Sequence, residues 1–415
     1  MTPEQVSVIT KTVPVLEKYG ETITRVFYKS MFAAHPELKS VFNITRQHTG
    51  HQPKILAEAL HAYAANINSL EVLEPTLELV CHKHASLQIT PDQYDIVGKF
   101  LIDAMREVLG DIFTSDVQDA WTAAYGQLSG LMIQKESSLY GQNEEWKDWR
   151  DFRIVNISRE SDEISSFYLR PVDGKPLPPY LPGQYVSVRA CVPQLGHFQA
   201  RQYSMSETPL RNYYRISVKR ERGQQSVPGL MSNVLHDFAA PGQIVQVSHP
   251  RGQFVLSSVH ESSPIVLIAG GVGITPLLSM WKFLGSAASS TKRPVHLAYA
   301  TRTTAARAFF KEVTDATRSN ALFRATYFVE YPAVNDQIGR DYHHAGRIDL
   351  QRLDAHWDLF LNDPRTAYYI CGPSSFLKAV KSSLLVQGVE SPRIKMEVFG
   401  AGGFVEPTPK PRPHL

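Results

Sequence analysis

The chain has 415 residues, 43% hydrophobic and 20% charged, with a formal net charge of +3. That length suits two or three domains with real cores, and the small, dispersed charge excludes a case for nucleic acid or an anionic membrane. Cys81, Cys191 and Cys371 are far apart and odd in number, which argues against a disulfide framework and for a reducing compartment, here the cytoplasm. No C-x-x-C occurs, so a zinc ribbon or an iron–sulfur cluster is not expected. The start has no run of signal-peptide length, and no segment approaches the roughly 18 apolar residues of a membrane span.

Residues 1–140 carry a helical period in stretches such as "VLEKYGETITRVFYKSMFAAHPEL" and "QYDIVGKFLIDAMREVLG". Thr2, Pro3 and Gln5 form an opening capping box, and Thr90 with Pro91 opens a later helix. Residues 141–149, polar and aromatic, read as a join. From 150 to 258 the period is two, in "FRIVNIS", "SSFYLRPV", "GQYVSVRA", "YYRISVKRE" and "GQIVQVSHPRGQF", which predicts a small antiparallel β-barrel. From 263 to 405 continuous apolar strands ("PIVLIAGG", "PVHLAYA", "TAYYICGP") alternate with helical stretches, the pattern of an α/β domain with a parallel sheet. Residues 406–415 lack apolar pattern and read as a flexible tail. The predicted class is therefore multidomain: all-α, then antiparallel barrel, then α/β.

Within the helical part, "LELVCHKHASLQIT" sets Leu77, Val80, His84 and Leu87 on one face, so an apolar stripe carries one imidazole. A hydrogen-bonded core histidine is the ordinary meaning of such a residue; a metal ligand is the sharper one. His82 and His84 are two apart and point to nearly opposite sides, so they are not a pair. His48 and His51 are three apart and are compatible with a shared metal or a solvated turn. Tyr28 lies among Ile23, Phe27 and Met31, and a buried phenol needs a partner. Gln52 and Leu56 share a helical face.

Four motifs follow. "ARQYS" offers Arg201 as a bidentate clamp for a pyrophosphate, Tyr203 for an aromatic ring and Ser204 as a donor, although an ordinary half-buried strand looks the same. "IAGGVGITP" puts glycines between a strand and a helix, where N–H groups can meet a phosphate or simply turn the chain. "YYICGP" leaves Cys371 at the carboxyl end of a strand. "KMEVFGAGGF" sets Glu397 and Phe399 on one face of a strand.

Taken in order and spacing, R-x-Y-S, G-G-x-G-x-T-P, C-G-P and E-x-F-G over residues 150–403 resemble the ferredoxin–NADP reductase superfamily. With Phe42, Tyr28, "HQPKIL" and "HKHASLQI" ahead of them, the whole chain resembles a flavohaemoglobin, a globin fused to that reductase. The resemblance implies haem b, FAD and NAD(P)H as cofactors, with His84 as proximal ligand and the only metal-binding residue. Lys83 matches a position associated with haem potential, Phe42 would pack on the macrocycle, and Tyr94 and Glu136 would contact His84. Tyr28, Gln52 and Leu56 would face the gaseous ligand. Tyr185, Arg201, Gln202, Tyr203 and Ser204 would hold FAD, with Glu397, Val398, Phe399, Gly400 and Ala401 on its other side; Ala401 departs from the proline expected there. Ala269, Gly270, Gly271, Val272, Gly273, Ile274 and Thr275 would cradle the NAD(P) phosphates beside Cys371, Gly372 and Pro373. The activity implied is nitric oxide dioxygenase: electrons pass from NAD(P)H through FAD to haem, and O2 and NO give nitrate. An O2/NO sensor with its own reductase, or a general NAD(P)H-dependent haem or peroxide reductase, is the alternative. The expected partners are NO, O2 and NAD(P)H, without nucleic acid or stable membrane association, and the expected state is a monomer. NADH and NADPH both stay open, with Arg302 the candidate for a 2′-phosphate.

Overall fold

A computed structural model describes residues 1–42, 50–141, 146, 148–209, 212–223, 229–256, 262–286 and 293–399. His48, Gly400, Ala401, most of the 141–149 join and the 406–415 tail lie outside the described residues, as does the side chain of His51.

Helix α1 (Pro3–Ala34) opens with the expected capping box: Gln5 N donates to Thr2 Oγ1, and Gln5 Oε1 accepts from Thr2 N. Its apolar period buries Ile9, Leu16, Ile23, Phe27, Tyr28 and Met31. Helix α2 (His51–Ala65) lies along it, pinned where Thr24 Oγ1 donates to Pro53 O at 2.8 Å. Helices α3 (Glu74–Leu87), α4 (Pro91–Leu109) and α5 (Ser115–Gly141) complete the helical unit, and α4 carries its own box at Thr90 and Gln93. Gln88, in the left-handed region at φ 60°, ends α3. The core of this unit centres on Phe27, Met31, Leu101, Met105 and Trp121.

The second unit is one antiparallel sheet of β1 (Arg150–Arg159), β2 (Ile164–Pro171), β3 (Tyr185–Val192), β4 (His197–Ser204), β5 (Tyr214–Lys219) and β6 (Ile244–Val247), ordered β4-β3-β6-β1-β2-β5. Its edges meet through a Met205–Ile216 bridge, and Ser206 N donates to Arg215 O at 2.8 Å, so the sheet curls into a barrel. Closure removes the two exposed edges. Helix α6 (Leu230–Phe238), which the period-two pattern around it hides, packs on β3, β4 and β5.

The third unit alternates β7 (Ile265–Gly270), α7 (Ile274–Leu284), β8 (Val295–Thr301), α8 (Phe310–Ser319), β9 (Phe323–Val329), the short β10 (His344–Ala345), β11 (Ala367–Gly372), α9 (Ser374–Val386) and β12 (Ile394–Val398). The parallel order β10-β9-β8-β7-β11-β12 reverses direction at β7. Sheets of this kind bind ligands outside the carboxyl ends of the strands at that reversal. The multidomain order expected from the sequence is the one found.

No described helix is long and apolar enough to cross a membrane. Units two and three are locked by a charged cluster: Lys282 on α7 lies 2.7 Å from Glu207 and 2.8 Å from Glu312, and Arg215 on β5 lies 2.9 Å from Glu312. Burial of these charges is tolerated because each has an opposite partner.

Candidate functional site

His84 stands in the last turn of α3, its side chain about a third exposed while Glu136 beneath it is buried. Glu136, from α5, accepts from the Tyr94 hydroxyl at 2.6 Å and lies 2.9 Å from His84 Nδ1; the Tyr94 hydroxyl is also 2.9 Å from Nδ1. The phenol gives its single proton to the carboxylate, so Nδ1 must be the donor toward both oxygens. That fixes the tautomer and leaves Nε2 with a free lone pair. Burial first, and then Glu136, holds the Tyr94 phenol far above its usual range. Tyr125 steadies Tyr94 by donating to its carbonyl at 2.6 Å. Among the described residues no group of three or more His, Cys, Asp or Glu is placed to hold a metal.

Tyr28 on α1 is buried against Phe27, Phe32 and Phe42, with ring centroids 4.7, 5.8 and 5.7 Å away. Gln52 and Leu56 are half-buried on the first turns of α2. Gln52 Oε1 is shut from solvent without a hydrogen-bond partner. Such an acceptor is costly unless a bound group supplies a donor. A lone-pair imidazole held by a carboxylate, an orphaned amide oxygen and half-buried Phe42 and Leu56 fit a flat, apolar, iron-bearing group. Lys83 lies exposed beside His84.

The second centre forms where units two and three meet. Tyr185 and Ser204 are cross-strand partners on β3 and β4, and Gln202 and Arg201 pair with Ser187 and Val188. Tyr185 exchanges both backbone hydrogen bonds with Arg251. Gly252, at φ 110°, follows; a Cβ there would sit 2.9 Å from the Tyr185 ring, so only glycine lets the ring lie over the backbone. Tyr203 is half-buried and its phenol is pushed up by burial. Arg201 donates to Ala200 O at 2.6 Å.

From unit three, Cys371 and Glu397 are register partners on β11 and β12. Burial raises the Glu397 carboxyl to about 8, and its Oε2 has no partner. Burial and then Glu397 push the Cys371 thiol well up, and the same carboxylate adds to the upward push on Tyr185. Tyr185, Cys371 and Glu397 therefore converge. The strand stops at Val398, one residue short of the expectation, and Phe399 N donates to Gly372 O at 2.9 Å. The orphaned acid and the glycine-floored tyrosine fit a flat polar cofactor.

At the sheet's reversal point, Ala269 and Gly270 end β7, and a short turn over Gly271, Val272 and Gly273 leads into α7 at Ile274 and Thr275. A Cβ on Gly273 would lie 2.2 Å from Cys371 O, so the turn can press on β11 only as glycine. No side chain caps α7 at the positive end of the helix, and its first N–H, from Ile274, donates back to Gly271 O and Val272 O. Gly372 and Pro373 lead into α9, whose N-terminus is also free of side-chain caps. Arg302 follows β8, exposed, near a Glu330 carboxylate that Arg347 holds at 3.0 Å and below its usual range.

The sequence reading missed the start of α6. Gly229 opens that helix without a side-chain cap, and Ser232 Oγ donates to Gly229 O at 3.1 Å. The available signal was Gly229 followed by Met231, Val234 and Leu235, an apolar set at helical spacing.

The family model described as Globin matches residues 25–132, and that of the oxidoreductase NAD-binding domain matches residues 267–382. A flavohemoprotein of Rhizobium meliloti is 42% identical over 410 residues, covering 98% of this chain and 100% of that protein. The chain belongs to the flavohemoprotein family. A flavohemoglobin from Malassezia yamatoensis, solved with bound FAD and heme, superposes with a TM-score of 0.83 at 27% identity over 96% of this chain and 99% of its own. The flavohem-like FAD/NAD binding domain of a nitric oxide dioxygenase from Vibrio cholerae matches with a TM-score of 0.54 at 31% identity, covering 61% of this chain and 99% of that one. Like other flavohemoproteins, the chain joins a globin to an oxidoreductase NAD-binding domain.

Proposed function

We propose that this flavohemoprotein is an NAD(P)H-dependent nitric oxide dioxygenase, with haem b on His84 and FAD between the barrel and the α/β unit. The observation that carries the reading is the bonding of His84 Nδ1 to the buried Glu136 and to Tyr94, both at 2.9 Å. When bound, the haem supplies a redox-active centre for a diatomic gas, and FAD converts a two-electron nucleotide into a one-electron donor. The relationship to the Vibrio cholerae domain supports the choice of gas.

The residues divide the work. Glu136 draws on the Nδ1 proton and makes the opposite nitrogen of His84 a stronger donor. Phe42 would pack on the macrocycle, and the exposed Lys83 stands next to His84. Tyr28 and Gln52 would be the polar groups offered to the bound gas, and Leu56 would limit its room. Arg201 and the N-terminus of α6 would hold the pyrophosphate of FAD, and Tyr185, Gln202, Tyr203 and Ser204 would hold its ring. Glu397, Val398 and Phe399 close the opposite side. The turn from Ala269 to Thr275 and the Cys371-Gly372-Pro373 turn receive the nucleotide. Three free cysteines, two of them buried, favour a cytoplasmic setting.

Nitrate formed per NAD(P)H consumed tests the reading. One electron is needed for each nitrate, so two nitrates per nucleotide are expected. Equal nucleotide consumption with and without nitric oxide would replace the dioxygenase with a general reductase.

A further inference from the structure

Helix α3 has a second polar face. Glu78, His82 and Ser86 recur every four residues and line one side of the helix, turned from the side that offers His84 to Glu136. Each is bonded to the barrel: Gln253 Nε2 donates to Glu78 Oε2 at 2.8 Å, Gly252 N to His82 Nδ1 at 3.2 Å, and Ser187 Oγ to Ser86 Oγ at 2.9 Å. Ser86 and Ser187 are fully buried.

The innermost of these bonds leads into the flavin-facing strands. Ser187 Oγ accepts from Gln202 Nε2 at 3.3 Å, and Ser187 N donates to Ser248 Oγ at 2.9 Å. Burial and Glu397 push the Tyr185 phenol up, and the Ser86 hydroxyl draws it partly back. Ser86 itself donates to Lys83 O at 2.7 Å, one residue before His84. One buried hydroxyl thus touches both the backbone of the His84 turn and the β3 serine.

We propose that Ser86 is a positioning residue that fixes the His84 turn of α3 against the β3–β4 strand pair and so sets the separation between the haem and flavin sites. The inference rests on the reading of His84 and Tyr185 as residues of those two sites. Rolling α3 about its axis would break the contacts of Glu78, His82 and Ser86 together, which makes this face a register device rather than a general adhesive. Spacing alone could not reveal it, because Gln253, Gly252 and Ser187 are more than a hundred residues away.

The test uses the purified full chain with both cofactors, mixed anaerobically with NADH in a stopped-flow instrument. Bleaching of the flavin band reports the first step and the ferric-to-ferrous shift of the Soret band the second. In Ser86→Ala the first step stays near the wild-type rate while the second slows by about tenfold, well inside what an ångström-scale misplacement costs. Amide exchange in peptides covering 78–88 and 248–254 speeds up in parallel. Ser187→Ala behaves alike, and the double variant adds little, because both act through one contact; this second single variant carries the test if Ser86→Ala does not fold. A second step at the wild-type rate, or two steps slowed together, overturns the assignment. A wild-type chain without Soret and flavin bands overturns the cofactor reading and this inference together.

Discussion

The His84 centre and the glycine turn after β7 solve different problems with different parts of the chain. The first is built from side chains brought from three helices, His84 on α3, Tyr94 on α4 and Glu136 on α5, each already satisfied by another. The second is built from backbone: Gly271, Val272 and Gly273 form a tight turn, and the absence of a Cβ on Gly273 is what lets it approach β11. An iron ligand needs a lone pair of set direction and basicity, which only a side chain and its hydrogen bonds can tune. A phosphate needs several donors at once, which consecutive amides supply without ordering any side chain. Damage should therefore look different in the two places.

The widest gap is expected from His84→Ala. It should abolish the Soret band and nitrate formation while leaving flavin content and reduction of an artificial acceptor by NAD(P)H intact. A pigmented variant with normal gas consumption would end the claim that side chains alone make the first centre.

Gly273→Ala probes the backbone centre, with the new Cβ 2.2 Å from Cys371 O. We expect a loss of about 3 kcal/mol in denaturant unfolding together with weaker NAD(P)H binding, the usual cost of overpacking. Unchanged unfolding and nucleotide titration would show that the turn yields more easily than its packing implies.

The seam between the helical unit and the barrel has a pH signature. His249 is buried beside Arg251, whose Nη1 is 3.2 Å from its Nδ1, and by Trp146; burial first, then Arg251, lowers it from 6.5 to about 4. The folded state thus binds fewer protons than the unfolded chain between these values. Stability from this group is complete above pH 6.5 and is lost as pH falls toward 4, by up to about 3 kcal/mol. Glu397 has the opposite sign: its carboxyl, raised from 4.5 to about 8, makes stability fall as pH rises across that window. Urea unfolding from pH 4 to 8 should show His249→Gln flattening the acid side and Glu397→Gln flattening the neutral side. Parallel profiles for both variants and the wild type would refute the assignment.

The gentlest change is Glu136→Gln, which keeps a hydrogen bond to His84 and removes the charge. Haem should remain, its reduction potential should rise, and nitrate formation should fall by about tenfold, the low end for outer-shell changes at metal sites. A potential identical to the wild type would move the tuning role to Tyr94.

Period and punctuation carried much of the architecture. The capping boxes at Thr2 and Thr90, the switch from helical to alternating pattern near residue 150 and the apolar strands after Pro264 are local properties, and the structure shows each of them. Helices α6 and α8 and strand β9 escape the reading by period, although the shorter strands β7 and β11 do not. In α8, Phe310, Val313 and Ala316 recur every three residues and pack on the core of the third unit, so a periodic signal is present in its ten residues.

His84 stood out in the sequence because an imidazole interrupts an apolar stripe, and the glycines after β7 because they fall between a strand and a helix. Both signals are local, since a face or a turn is fixed by neighbours a few residues away. What folding alone decided is every relation across distance: Glu136 arriving under a histidine 52 residues earlier, Glu397 beside Tyr185, and Ser86 against Ser187. Those contacts depend on how three separately patterned units pack, and packing joins residues through shape and burial that no spacing along the chain encodes.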